Sequence, residues 1–212
     1  MQLSSRDEPP DVDPPLTTAP ERLLRAELVR ALFVEGAHFR GNAVLAIALP
    51  QIVSTPASIE RLALLRDGLA GLTALADGRS VTGRVPPVAL VRAAVDLLES
   101  VAPFETIDTV VDIPPDAPLV GDDSDLSLLL VVTLLVDARR RVREQGRSST
   151  IRVGLRGEPA SVDVEIEIDA DVGPTSLDLL YQLAGPAASS CGAALEWRGP
   201  NDVPLLRLVP AE

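Results

Sequence analysis

"EGAHFRGNAVLAIALPQIV", Glu35 to Val53, holds the only histidine of the chain, His38, between Gly36 and Gly41, with Asn42 four residues on. Upstream, from Glu21, apolar residues recur at three- and four-residue spacings, as at Leu24, Leu28, Ala31 and Leu32, which predicts a helix. Its polar face carries Arg22, Arg25, Glu27, Arg30 and Glu35. Each flanking glycine costs roughly 1 kcal/mol against alanine in a helix interior. Pro50 kinks the helix or ends it near Leu49. After a break at "STPAS", a second helix places Ile59, Leu62, Leu65, Leu69, Leu72 and Leu75–Ala76 on one face and ends at Gly78. So short a connection makes the two helices an antiparallel hairpin. A lone hairpin leaves an apolar stripe in water, so a four-helix bundle made by two copies, a homodimer, is expected.

Composition excludes several classes of function. Apolar residues make up 46% of the 212, enough for a core, but aromatics only 2%, so that core is aliphatic. A net charge of −12 argues against nucleic-acid binding, which needs a basic footprint, and against docking on anionic lipid. All 19 basic residues are arginine, which removes lysine nucleophiles and a P-loop lysine. One cysteine, Cys191, and one histidine exclude an internal disulfide and make a zinc site a poor expectation. The most apolar run, "LLLVVTLLV" from Leu128 to Val136, is too short to span a bilayer, which takes about 20 residues. No membrane insertion and a cytoplasmic location are expected. Residues 1–20, with five prolines and several acids, read as a disordered tail.

The remainder reads as helix, strand, helix, strand, strand, helix, strand, strand. "PPVALVRAAVDLLESVAP" and "SDLSLLLVVTLLVDARRRVREQG" have helical patterns. "TIDTVVDIPP" is a strand and turn, while "STIRVGLRG" and "ASVDVEIEIDAD" alternate with period two as antiparallel neighbours do. "SLDLLYQLAGPAASSCG" is a further helix, and "AALEWRGPNDVPLLRLVPA" closes as a strand hairpin. The fold class is α+β: a helical hairpin over 21–79, then, over 80–212, helices on one face of a mixed sheet, an α/β sandwich.

A hairpin with a histidine on its first helix, followed by this sandwich, resembles the catalytic half of a two-component sensor histidine kinase. The resemblance covers roughly Glu21 to Pro210. It makes His38 the phosphoacceptor, with Asn42 at the family's offset, one helical turn away on the same face. Phe39 stands where the family has an acid or another polar residue. The family's two nucleotide-helix asparagines fall on Thr133 and Asp137, of which the second would ligate magnesium. Its Asp-x-Gly-x-Gly loop falls on "DVGPT", with Asp171 and Gly173 matching and Thr175 replacing the last glycine. The lid and glycine-rich box that follow in the family have no counterpart in "GPTSLDLLYQLAG".

Scaffold and histidine kept, nucleotide machinery reduced: this combination resembles the two-domain histidine phosphotransferases of phosphorelays, with a degenerate ATPase-like domain. The resemblance implies receiver domains of response regulators as partners and no resident cofactor, since the receiver brings its own magnesium. Arg40 would pair with phosphate or receiver acids, and Asn42 would donate to a phosphoryl oxygen. Asp137, Asp171 and Gly173 would be vestiges of the nucleotide site. Two other functions stay open: a catalytically inactive kinase-like module that dimerises with or sequesters a kinase or response regulator, and an active kinase with a rearranged pocket. Plainer readings also stand. Asp137 and the Arg139–Arg140–Arg141 run fit the solvated end of a helix, Trp197 and Tyr181 pack the sandwich, and Phe33 and Phe39 pack a core or meet a partner helix. Cys191 is a small buried residue.

Overall fold

The structure is a computed structural model, and it describes residues 18–35, 56–78, 83–101, 107–114, 116–121, 124–145, 150–156, 162–168, 179–198 and 203–208. The tail over 1–17 and the segment over 36–55, which contains His38, Phe39, Arg40 and Asn42, lie outside the described residues, as does 169–178, which contains Asp171, Gly173 and Thr175.

Helix α1 spans Ala19–Glu35. Thr18 starts it: its hydroxyl accepts from the Glu21 amide at 3.3 Å, the geometry of a T-x-x-E cap, two residues earlier than the hydrophobic spacing suggests. Helix α2 spans Pro56–Asp77, with proline in its first turn, and stops at Gly78, whose φ of +69° favours a residue without a side chain. Helix α3 (Pro87–Val101) follows, then strand β1 (Asp108–Asp112) and helix α4 (Ser124–Gln145). Strands β2 (Thr150–Arg156) and β3 (Val162–Ile168), helix α5 (Leu179–Ser190), and strands β4 (Ala194–Arg198) and β5 (Val203–Leu208) complete the order.

The five strands form one mixed sheet in the order β1-β2-β3-β5-β4. β1 runs parallel to β2, and the other neighbours are antiparallel. The parallel pair needs a crossover, which α4 provides. Val162, Val164 and Ile166 point alternate side chains into the helix layer and are buried there. α4 lies over β3 and β5, α3 over β1, and α5 over β4. The mixed sandwich read from the strand and helix patterns is therefore present.

The N-terminal helices add a further layer. α1 packs on α5 and α4, and α2 packs on α3. Leu24, Leu28, Ala31 and Leu32 of α1, and Leu72 and Leu75 of α2, join one apolar cluster with α4 and the sheet. Within the described residues, the stripe that a lone hairpin would leave in water is thus covered by the same chain. Leu69, placed by spacing on the buried face of α2, is 47% exposed instead. α2 leans on α3 through Gly71, where an added Cβ would lie 2.6 Å from Leu97 Cδ1. That close approach turns the next ridge, with Leu69, outward.

Arg25 also departs from the expected polar face of α1. It is only 5% exposed. Its Nη2 donates to Glu21 Oε1 at 2.6 Å and to Asp125 Oδ2, in the first turn of α4, at 2.7 Å. Its Nη1 donates to the Leu75 carbonyl, in the last turn of α2, at 2.6 Å. One guanidinium fork therefore ties three helices, a job that suits five donors in fixed geometry.

Candidate functional site

α4 carries the positions that the sequence placed at a vestigial nucleotide site, and its packing decides their chemistry. From Leu126 to Arg139 every residue is buried, because α4 is covered by the sheet on one side and by α3, α5 and α1 on the others. A buried core helix of this kind needs its few polar groups satisfied from within. Thr133 is fully buried, and its hydroxyl donates to the Leu129 carbonyl of its own helix at 2.8 Å. Asp137 is 4% exposed, and Arg141 Nε lies 2.7 Å from its Oδ2. The pair is an i,i+4 ion pair with both side chains buried.

This corrects the reading of Asp137 as a solvated residue, and that of the arginine run as a solvated helix end. Arg139 and Arg141 are buried, and Arg140 is half-buried. The physical reason is mutual neutralisation: carboxylate and guanidinium on one helix enter the interior as a pair, where either alone would not. A magnesium ion at Asp137 would have to displace the guanidinium that the helix itself holds in place. The donor set at this position does not fit a metal. Among the described residues, no group of three or more His, Cys, Asp or Glu side chains converges as a metal site would require.

The other proposed site residues are not brought together by the described structure. His38, Arg40 and Asn42 follow α1 beyond its described end at Glu35. Close to that end, Phe33 is 43% exposed, and Leu23 lies exposed two turns and more upstream on the same helix. Arg30 donates from Nε to Glu27 Oε2 at 2.8 Å, and this bond, more than the charge of Arg30 or Arg140, holds the Glu27 carboxyl below its ordinary value against a smaller opposing effect of burial. Cys191 is half-buried with its thiol on the Ala188 carbonyl. The side chains of Tyr181 and Trp197 lie outside the described residues.

A second polar group was not anticipated from the alternating pattern of β3. Asp163 and Glu165 are buried on the sheet face turned away from the helices. Arg207 on β5, paired with Asp163 in the ladder, donates to both its oxygens at 3.1 and 3.3 Å. That hydrogen bond, with the charges of Asp163 and Glu196, raises the Arg207 pKa above its ordinary value. The residues of this pair stand 44 apart in sequence, so only strand register reveals it.

No family model matches the chain, and no curated protein matches it. Solved structures do resemble it in shape. The histidine kinase AdeS of Acinetobacter baumannii is 12% identical over 83% of this chain and 95% of its own, with a TM-score of 0.49. A histidine kinase from Burkholderia phymatum STM815 is 14% identical over 87% of this chain and 98% of its own, also at 0.49. The histidine kinase domain of the blue-light-activated kinase EL346 of Erythrobacter litoralis is 16% identical over 86% and 94%, at 0.48. At TM-scores below 0.5 and identities this low, none of them carries an activity to this chain. No helix among the described residues is long and apolar enough to cross a membrane.

Proposed function

We propose that this chain is a histidine phosphotransferase of a phosphorelay, with His38 as the phosphoryl carrier between receiver-domain aspartates. The observation that carries the reading is the buried Asp137–Arg141 pair. The carboxylate that would hold magnesium in a kinase-like nucleotide site is committed to a cation of its own helix, while a histidine and an asparagine remain at phosphoacceptor spacing. On this reading the phosphoryl group comes from another protein.

The step is a displacement at phosphorus. An imidazole nitrogen of neutral His38 attacks the aspartyl phosphate of a receiver, an N–P bond forms, the P–O bond to the aspartyl oxygen breaks, and the carboxylate leaves. At neutral pH an imidazole of ordinary pKa is largely unprotonated, so the attack needs no dedicated base. Catalysis is then mostly positioning and charge neutralisation. Arg40 would pair with the phosphoryl oxygens, and Asn42 would donate to one of them. The glycines beside His38 would let a receiver approach closely. The magnesium belongs to the receiver. A homodimer joined through the N-terminal helices is part of the proposal, supported by the exposed Leu23, Phe33 and Leu69.

The same exposed residues favour a second reading, an inactive module that binds a kinase or response regulator. Incubation with purified receivers charged by radiolabelled acetyl phosphate separates the two. Transfer of label to the wild type but not to His38→Ala supports the phosphotransferase. Binding of a receiver without any transfer, unchanged by His38→Ala, supports the module.

A further inference from the structure

The junction around Arg25 joins three helices through buried charge. Three charges, those of Glu21, Arg25 and Asp125, meet at the contact of α1, α2 and α4. Satisfaction is incomplete. Arg25 Nε and the fully buried Ser124 Oγ have no hydrogen-bond partner among the described residues. Buried donors left in this state weaken a seam. Packing is incomplete as well. A cleft of about 380 Å³ opens beside the guanidinium, lined by Arg22, Arg25, Ala26, Val29, Ala76 and Asp77. Gly78, with its φ of +69°, stands where α2 ends, and a Cβ there would lie 3.5 Å from Arg25 Cζ and 3.6 Å from Asp125 Oδ2. A residue of high backbone freedom thus adjoins the clasp.

We propose that the Arg25 clasp is a latch: α1 and α2 open together from the α3–α4–α5 layer by breaking the Arg25–Asp125 contact, while the sandwich stays folded. The three features of the seam favour this. Breaking it releases a charge cluster that carried a desolvation cost, rehydrates two unpartnered groups, and starts from an existing cleft. The sandwich beyond it keeps its aliphatic packing between α4 and the sheet, and its sheet ladder. Sub-global openings of this kind occur where local stability is lowest. The opening itself does not rest on the proposed function.

Native-state amide hydrogen exchange on the full-length protein tests the latch. In the wild type, amides of α1 and of the C-terminal half of α2 should exchange on the order of tenfold or more faster than the slowest amides of α4, β2 and β3. Arg25→Met removes a contact that only the closed state makes, so it should accelerate the α1 and α2 amides about tenfold or more and the slowest sheet amides by the same factor, leaving the gap unchanged. Val164→Ala, whose sheet-core contacts persist in the opened state, should accelerate the slowest sheet amides and leave α1 and α2 exchange unchanged, narrowing the gap. Equal protection of α1 and β3 in the wild type overturns the proposal, even if Arg25→Met proves unable to fold. So does a Val164→Ala variant that accelerates α1 and α2 as much as the sheet.

Discussion

Arg25 and Asp125, one hundred residues apart, meet at 2.7 Å in a part-buried contact that fastens the first turns of α1 to the start of α4. The cost of removing one partner is set by the charge left behind. Arg25→Ala strands Glu21 and Asp125, and should lower unfolding free energy by about 3 kcal/mol, at the lower end for a buried pair because the carboxylates retain some water. Asp125→Asn should cost less, since Glu21 still answers the guanidinium. A double-mutant cycle by urea denaturation reads the coupling directly, and additive effects would contradict it.

Asp137 and Arg141 make a sharper case because both side chains are buried. Asp137→Asn leaves the guanidinium without its carboxylate and should destabilise by about 3–5 kcal/mol. Replacing both at once, Asp137→Leu with Arg141→Met, should recover most of that loss. Thermal or urea unfolding checks both. A fully stable Asp137→Asn protein would mean that the carboxylate faces solvent.

Gly71 and Leu97 are coupled by contact. Alanine at position 71 would gain roughly 1 kcal/mol of helix propensity. It would also press a Cβ to 2.6 Å from Leu97 Cδ1, the far end of a side chain that can turn aside into the adjoining groove. Gly71→Ala should therefore shift stability by less than about 1 kcal/mol. In a Leu97→Ala background, the same change should stabilise by roughly 1 kcal/mol, as propensity alone dictates. Equal effects in the two backgrounds would disprove the contact.

The Glu27–Arg30 pair gives a small dependence on pH. Its carboxyl is held below the ordinary glutamate value, so the native state binds that proton less readily than the unfolded chain does. The stabilisation is complete above the unfolded pKa and disappears as pH falls through the depressed folded one. An exposed helix pair of this kind contributes only about 0.2–0.5 kcal/mol. Glu27→Gln should therefore cost a few tenths of a kcal/mol near neutrality, within that range, and nothing at the acid end. The difference should shrink in high salt.

Hydrophobic spacing makes much of the architecture legible. It places the long aliphatic helix over Ser124–Gln145, the β2–β3 and β4–β5 pairs, and the Gly78 stop. It misplaces residues whose surroundings come from far along the chain. Arg25 reads as solvated because two of its partners, the Leu75 carbonyl and Asp125, lie on α2 and α4. Asp163 falls on the polar side of the period-two pattern, but its arginine partner lies on β5, 44 residues away. Asp137 and Arg141 do show the right spacing for a pair, but nothing local says that the helix end is covered. Leu69 has the spacing of a core residue, yet it turns outward where Gly71 brings α2 onto Leu97. Of the candidate site, the sequence offers the residue types and the His38–Asn42 offset, while the surroundings of Asp137 emerge only from packing.

Mass-spectrometric mapping of phosphohistidine tests the central claim most directly. The full-length protein is incubated in parallel with magnesium and ATP, and with receivers charged by acetyl phosphate. The account predicts an acid-labile, base-stable phosphoryl group on His38 from a charged receiver and none from ATP. Phosphorylation of His38 by ATP alone, or an unmodified His38 after exposure to every charged receiver of the source genome, would contradict it.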